Sequence, residues 1–204
     1  MMFPPEYFNK QDTSDDALFY TFPRKVVHID DHAIQVVTAH MRRRLPPGGV
    51  YLDLMSSWRS HLPDDLNPAR VVGLGMNADE MADNPQLDEV VVHNLNQQPT
   101  LPFEDQLFDA AFCTVSVQYL TQPVDVFREV NRVLKPGGVF LVTFSNRCFP
   151  TKAVAVWTAT NDRQHVGLVT QYFEKAGNWR DIQAEEKTRL FADPLYAVYA
   201  YRDA

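Results

Sequence analysis

Five short apolar runs at residues 50–54, 71–74, 90–92, 108–115 and 139–144 constrain this chain more than any other feature. A strand with one wet face alternates apolar and polar residues. These runs are almost continuously apolar, as strands covered on both faces are. Helical signals lie between them. Asn77-Ala78-Asp79-Glu80 is a capping-box pattern that opens a short helix after the second run. Val124, Phe127, Val130 and Leu134 stripe a helix between the fourth and fifth runs. Lys135-Pro136-Gly137-Gly138 ends that helix, its glycines allowing a left-handed turn into the next strand. A further helix runs from Asn161 or Asp162 to Ala176, with Gly177 just past its end, and 182–185 and 195–201 supply two more strands. Alternation of this kind predicts a parallel sheet with right-handed crossovers and helices on both faces. The expected fold is a three-layer α/β sandwich with seven strands, mostly parallel.

The first 29 residues break this pattern. They are irregular and rich in proline and aromatics (Phe3, Tyr7, Phe8, Phe19, Tyr20, Phe22), which predicts an arm packed on the main body. Asp30 or Asp31 caps a helix reaching about Arg44, striped by Ile34, Val37 and Met41, and Leu45-Pro46-Pro47-Gly48-Gly49 stops it. At 204 residues one domain is expected, with residues 1–45 as arm and helix and 46–204 as the body.

Charge and cysteine content narrow the function classes. The net charge of -7 repels a phosphate polymer, so nucleic acid is not an expected partner. Arg42-Arg43-Arg44 sits at a helix end, where cations offset exposed carbonyl dipoles. No apolar stretch spans a bilayer, and no membrane partner is expected. Cys113 and Cys148 make neither a disulfide framework nor a zinc site, and no metal-ligand spacing occurs. With no basic segment leading into an apolar core at the N-terminus, the expected location is the cytoplasm or an organelle stroma. Gly73 and Gly75 lack the third glycine of a dinucleotide fingerprint, and no Gly-x-Ser-x-Gly elbow follows a strand.

Open parallel sheets bind ligands beyond the carboxyl ends of their strands. The residues of interest therefore begin at Asp53, Gly75, His93 and Ser116. Asp53 can cap the turn after its strand or serve a ligand. Tyr119 can border a reacting group or be a core aromatic with its hydroxyl toward water. The arm carries a polar series, Tyr20, Arg24, His28 and Asp30, in which His28 is either a general base or a surface histidine. Ser145, Asn146 and Arg147 face substrate or simply end the fifth strand.

Leu101-Pro102-Phe103-Glu104-Asp105 with Phe108-Asp109, and Phe127-Arg128-Glu129-Val130 with Arg132-Val133-Leu134-Lys135-Pro136-Gly137-Gly138, resemble the class I S-adenosylmethionine-dependent methyltransferases of the type 11 group. The resemblance implies a Rossmann-like sandwich whose last strand is antiparallel, S-adenosylmethionine as cofactor and a small-molecule substrate. It implies that Asp53, Met55, Ser56, Ser57, Gly75, Met76, Asn77, Asn94, Leu95, Asn96 and Ser116 hold the cofactor, with His28 and Tyr119 as catalytic candidates. The sequence departs from the family there. The acid-x-Gly-x-Gly-x-Gly pattern reads Asp53-Leu54-Met55-Ser56-Ser57-Trp58-Arg59, so the acid remains and the glycines are gone. The acid ending the second strand is replaced by Gly75, and the acid after the third strand by Asn94. Serines 56 and 57 can bond the methionine carboxylate, Asn77 the ribose, Met76 the adenine face, and Asn94 or Asn96 its edge. This reading requires Trp58 and Arg59 to leave the cleft open. The alternative is a non-catalytic binding or scaffold protein on the same fold.

Overall fold

The computed structural model describes residues 3–19, 21–22 and 25–204; Tyr20 and Arg24 of the arm's polar series lie outside them. Seven strands form one sheet: β1 (Val50–Leu54), β2 (Arg70–Gly75), β3 (Glu89–Val92), β4 (Phe108–Thr114), β5 (Leu134–Phe144), β6 (Trp179–Lys187) and β7 (Leu195–Arg202). Their order is β3-β2-β1-β4-β5-β7-β6. The pairs from β3 through β5 are parallel, and β7 runs antiparallel to both its neighbours. The Rossmann-like arrangement expected from the sequence is therefore present. The strand order reverses between β1 and β4, which opens a crevice above the carboxyl end of β1.

Among the described residues six α-helices accompany the sheet: α1 (Asp16–Phe19), α2 (Asp31–Arg44), α3 (Ala78–Ala82), α4 (Pro123–Val133), α5 (Ala155–Thr158) and α6 (Asp162–Ala176). Successive strand residues point to opposite faces, so each face carries its own core. On one face Val37 and Met41 of α2 cover Tyr51, Val71, Phe112 and Leu141. On the other Phe127 of α4 and Phe173 of α6 pack with Leu52, Val72 and Phe140. The caps are those the sequence signals. Asp30 Oδ1 accepts the Ala33 amide at 2.8 Å, and Asn161 and Gln164 form a reciprocal capping box.

Two elements differ from expectation. β5 begins at Leu134, five residues early, because Leu134 already pairs with Phe108 before a register shift places Val139 opposite Ala110. The residues between loop out, with Gly137 at φ +78°, a conformation costly for a residue with a Cβ. β6 is nine residues long rather than four, and as the sheet edge it is mostly exposed and charged, which hides it from an apolar pattern.

The methyltransferase-like motif at 101–138 turns out to be a structural clamp. Arg132 donates to the carbonyls of Leu101 and Phe103 and to the carboxylates of Glu129 and Asp105. Glu129 in turn accepts the Leu101 amide at 2.9 Å. One guanidinium thus ties the Leu-Pro-Phe entry of β4 to the last turn of α4. Arg132→Ala strands two carbonyls and a carboxylate, and is expected to cost about 1–3 kcal/mol in denaturant unfolding. The clamp lies away from the β1 crevice, so ligand affinity there should be unchanged.

Candidate functional site

Each parallel strand delivers its following loop to the same end of the sheet. The loops after β1, β2, β3 and β4 meet there with residues of the arm around a cleft of about 1310 Å³, its open mouth included. Of the expected residues, Asp53, Met55, Ser56, Ser57, Gly75, Met76, Asn77, Asn94, Leu95, Asn96, Ser116, His28 and Tyr119 all line it.

The turn after β1 decides whether this cleft exists. Met55 stands where the family pattern has its first glycine, and it takes φ +59°. A non-glycine residue thus holds a left-handed backbone there, at a cost of roughly 1 kcal/mol or more for a residue with a side chain. The next residue then runs against β2. The Ser56 amide donates to the Leu74 carbonyl at 2.8 Å. A Cβ on Gly75 would lie 2.4 Å from the Ser56 carbonyl oxygen and 2.9 Å from the Met81 sulfur. The close approach of the first loop to the second strand therefore requires glycine at 75. Val115, at φ +53°, gives the far wall a second left-handed turn on a β-branched residue.

Trp58 and Arg59 stay at the mouth. The Trp58 indole N–H donates to the Val26 carbonyl at 3.3 Å, and the Arg59 guanidinium lies 4.6 Å over its ring. Met55, Trp58 and Arg59 all reach the wall of the cleft, and the cleft stays open between them and the loops opposite.

Asp53 is buried at the foot of the turn, with Ser56 Oγ donating to its carboxyl at 2.7 Å and Ser60 Oγ at 2.6 Å. Burial pushes the carboxyl up to about 7, against the opposing pull of the Ser60 and Ser56 hydroxyls. Asn84 Nδ2 donates to Ser60 Oγ at 2.8 Å and to the Ser57 carbonyl at 2.9 Å, so Asp53, Ser56, Ser60 and Asn84 form one network under the loop.

Several lining residues were not singled out from sequence. Glu80, one turn into α3, is buried and accepts the Ser57 hydroxyl at 2.7 Å. It brings a carboxylate to the edge where Gly75 removed one. Its signal was present in the capping box, where it reads as a helix-start residue: Asn77 Oδ1 accepts the Glu80 amide at 2.9 Å. Lys10, Asp16 and Lys152 form the arm side. Lys152 is buried, donates to the Ser14 carbonyl at 3.0 Å, and pairs with Asp12 at 3.1 Å and Asp16 at 3.4 Å. Lys10 pairs with Asp16 at 2.7 Å. Asn96 joins this latch, donating to Asp16 and to the Tyr119 carbonyl while accepting the Thr121 amide. No local pattern announces a network whose members lie at 10–16, 96 and 152.

His28 is exposed and meets the Phe149 ring edge-on at 5.1 Å. Tyr119 Oη accepts the Phe149 amide at 2.9 Å, and burial pushes its phenol up to about 12. In the ligand-free protein this phenol is held as a hydrogen-bonding group.

Residues 59–142 match the family described as methyltransferase domain, type 11, and the match begins just past the Met55 turn. A malonyl-[acyl-carrier protein] O-methyltransferase of Marinomonas sp. is 30% identical over 113 residues, 50% of this chain and 40% of that protein. A sterol 4-C-methyltransferase of Caenorhabditis elegans is 48% identical over 42 residues, 21% of this chain and 13% of that protein. The aligned stretches therefore span less than half the length of these relatives. Among solved structures, a complex of the Haloferax volcanii Trm112 methyltransferase activator with a methyltransferase matches at TM-score 0.64 and 15% identity, over 85% of this chain and 90% of that one. The phosphoethanolamine N-methyltransferase 2 of Haemonchus contortus, solved with S-adenosyl-L-methionine, matches at TM-score 0.59 and 14% identity, over 93% and 56%. The sheet order and the cleft at its reversal define a class I methyltransferase fold. Over residues 59–142 the chain is similar to the type 11 methyltransferase domain, and its fold is that of the class I S-adenosylmethionine-dependent methyltransferases.

Two outcomes are expected for the ligand-free protein. Gly75→Ala forces the β1 loop off β2 and should cost about 1–3 kcal/mol in denaturant unfolding. Asp53, with its folded value raised above the unfolded one, contributes stability that is complete below about pH 4 and lost as pH rises through about 7. Asp53→Asn removes that dependence. Thermal melts from pH 5 to pH 8 should show the variant gaining on the native protein as pH rises.

Proposed function

We propose that this protein transfers a methyl group from S-adenosylmethionine to a small-molecule acceptor. The observation that carries the reading is the open cleft over β1, bounded by the left-handed Met55 turn and lined by the loops after β1, β2, β3 and β4. The methionine at φ +59° and the glycine tight against Ser56 are costly features at the cleft, and they support a functional site there.

The donor set fits the group. Glu80 and Asn77, at the start of α3, stand where ribose hydroxyls need acceptors. Met76 and Leu95 offer apolar surface to a purine, and His93 and Asn94 offer it polar edges. Asp53, under Ser56 and Ser57, provides the carboxyl for an ammonium. Asn96 acts at one remove, because its amide holds the arm through Asp16. The cofactor supplies an activated methyl on a sulfonium, so the chain's task is alignment and removal of water. In this reading His28, which lines the cleft, takes the proton that an O, N or C nucleophile loses. Tyr119 fixes Phe149, whose ring forms the wall between His28 and the strand ends. The acceptor sits between the arm and the loop after β4.

Calorimetric titration with S-adenosylhomocysteine tests this. Binding in the micromolar range, about -8 kcal/mol, is expected. Glu80→Gln should weaken it by about 1–3 kcal/mol. Affinity should rise with pH through about 7 as Asp53 ionises, and this rise should be absent in Asp53→Asn. A silent titration in a folded protein makes it a scaffold on a methyltransferase fold.

A further inference from the structure

We infer that the rim of the cleft is a docking surface for an anionic lipid bilayer, from which an apolar acceptor reaches the site. The docking itself stands on surface composition, and the route of the acceptor rests on the methyl-transfer reading. Most of the large apolar side chains that the described residues leave exposed sit on two segments. One is the arm, with Leu18 70% and Phe22 77% exposed, followed by Val26 and Val27. The other is the loop between β6 and β7, with Leu190 80% and Phe191 99% exposed.

The two segments are one rim. β6 runs parallel to β5, so its following loop emerges at the same end of the sheet as the cleft. The Asp30 amide donates to Asp193 at 3.0 Å, and the Asp193 amide donates to Asp30 at 2.7 Å, which joins loop to arm. Val26 and Val27 also line the cleft, so the rim runs into the site. The loop tip presents its apolar pair at a cost. Phe191 takes φ +65°, a conformation costly for a bulky residue, with its ring fully in solvent. Singly scattered apolar residues on a surface need no explanation, but a concentration around a cleft mouth does.

Charge selects the occupant. Of the described residues in 18–30 and 187–193, Lys25, Lys187 and Arg189 are basic, and the two acids, Asp30 and Asp193, are tied to each other's amides, in a chain of net charge -7. Lys25 reaches Asp83, but that pair is half exposed and exchanges readily with lipid phosphate. Asp193, which closes the loop, is held by Arg147 at 2.7 Å. Apolar side chains flanked by cations match the boundary between headgroup and acyl chain in an anionic leaflet. Trp58 at the mouth is a further side chain suited to that boundary. No described helix is long and apolar enough to cross a membrane, and surface docking needs none.

The test is flotation of the full chain with vesicles of phosphatidylcholine alone or mixed with phosphatidylglycerol, at about 0.1 M salt. The expected result is co-flotation with the mixed vesicles, weaker or absent with phosphatidylcholine alone, and reduced by added salt. The double variant Leu190→Ser, Phe191→Ser should lose roughly tenfold or more in partitioning, with an unchanged melting temperature because both side chains are exposed. Lys187→Glu with Arg189→Glu should abolish the preference for the anionic lipid. Failure to float with either vesicle overturns the inference, as does flotation that the apolar variant leaves intact. If light scattering shows the native protein as an oligomer and the apolar variant as a monomer, the rim is instead a contact between copies of this chain and the inference fails.

Discussion

The close approach of the β1 loop to β2 is the contact on which the site depends. The Ser56 carbonyl passes over Gly75 with no room for a Cβ, and the chain reaches that position only because Met55 turns left-handed. That geometry opens the cleft, sets Ser56 and Ser60 on Asp53, and points Ser57 at Glu80. The family pattern it resembles has glycines in this loop. Here one non-glycine residue bears the backbone cost and a glycine on the neighbouring strand supplies the space. The carboxylate missing from the end of β2 returns from α3 in the same compensated way.

Much of the fold was legible in the sequence because both its signals are local. Strands buried on two faces read as apolar runs, and caps such as Asp30 and Asn161 read as single residues before a helix. β6 was legible only in part, since an edge strand bearing Arg180, Asp181, Glu185 and Glu186 carries no apolar run. The start of β5 was hidden by a bulge that no propensity encodes.

The site was legible as a set of loops and less so as chemistry. Topology puts the residues after β1, β2, β3 and β4 at one end, so strand positions indicated where to look, and the family resemblance supplied the set of residues. What each does depends on partners far away in the chain. Asn96 is a latch because Asp16 and Thr121 surround it, Tyr119 is a wall support because the Phe149 amide meets it, and Lys152 is buried because Asp12 and Asp16 pair with it. The motif with the clearest family signature, around Arg132, serves the β4–α4 joint. Sequence likeness here reports architecture first.

The account is tested most directly by a crystal structure of the protein grown with S-adenosylhomocysteine. It predicts density for the nucleoside between Gly75 and Leu95, with the Glu80 carboxylate on the ribose and Met55 still left-handed beneath the homocysteine. A fully ligand-soaked crystal in which Met55 relaxes to an extended backbone, and Met55 and Trp58 close over β1 with no density between them, would contradict it.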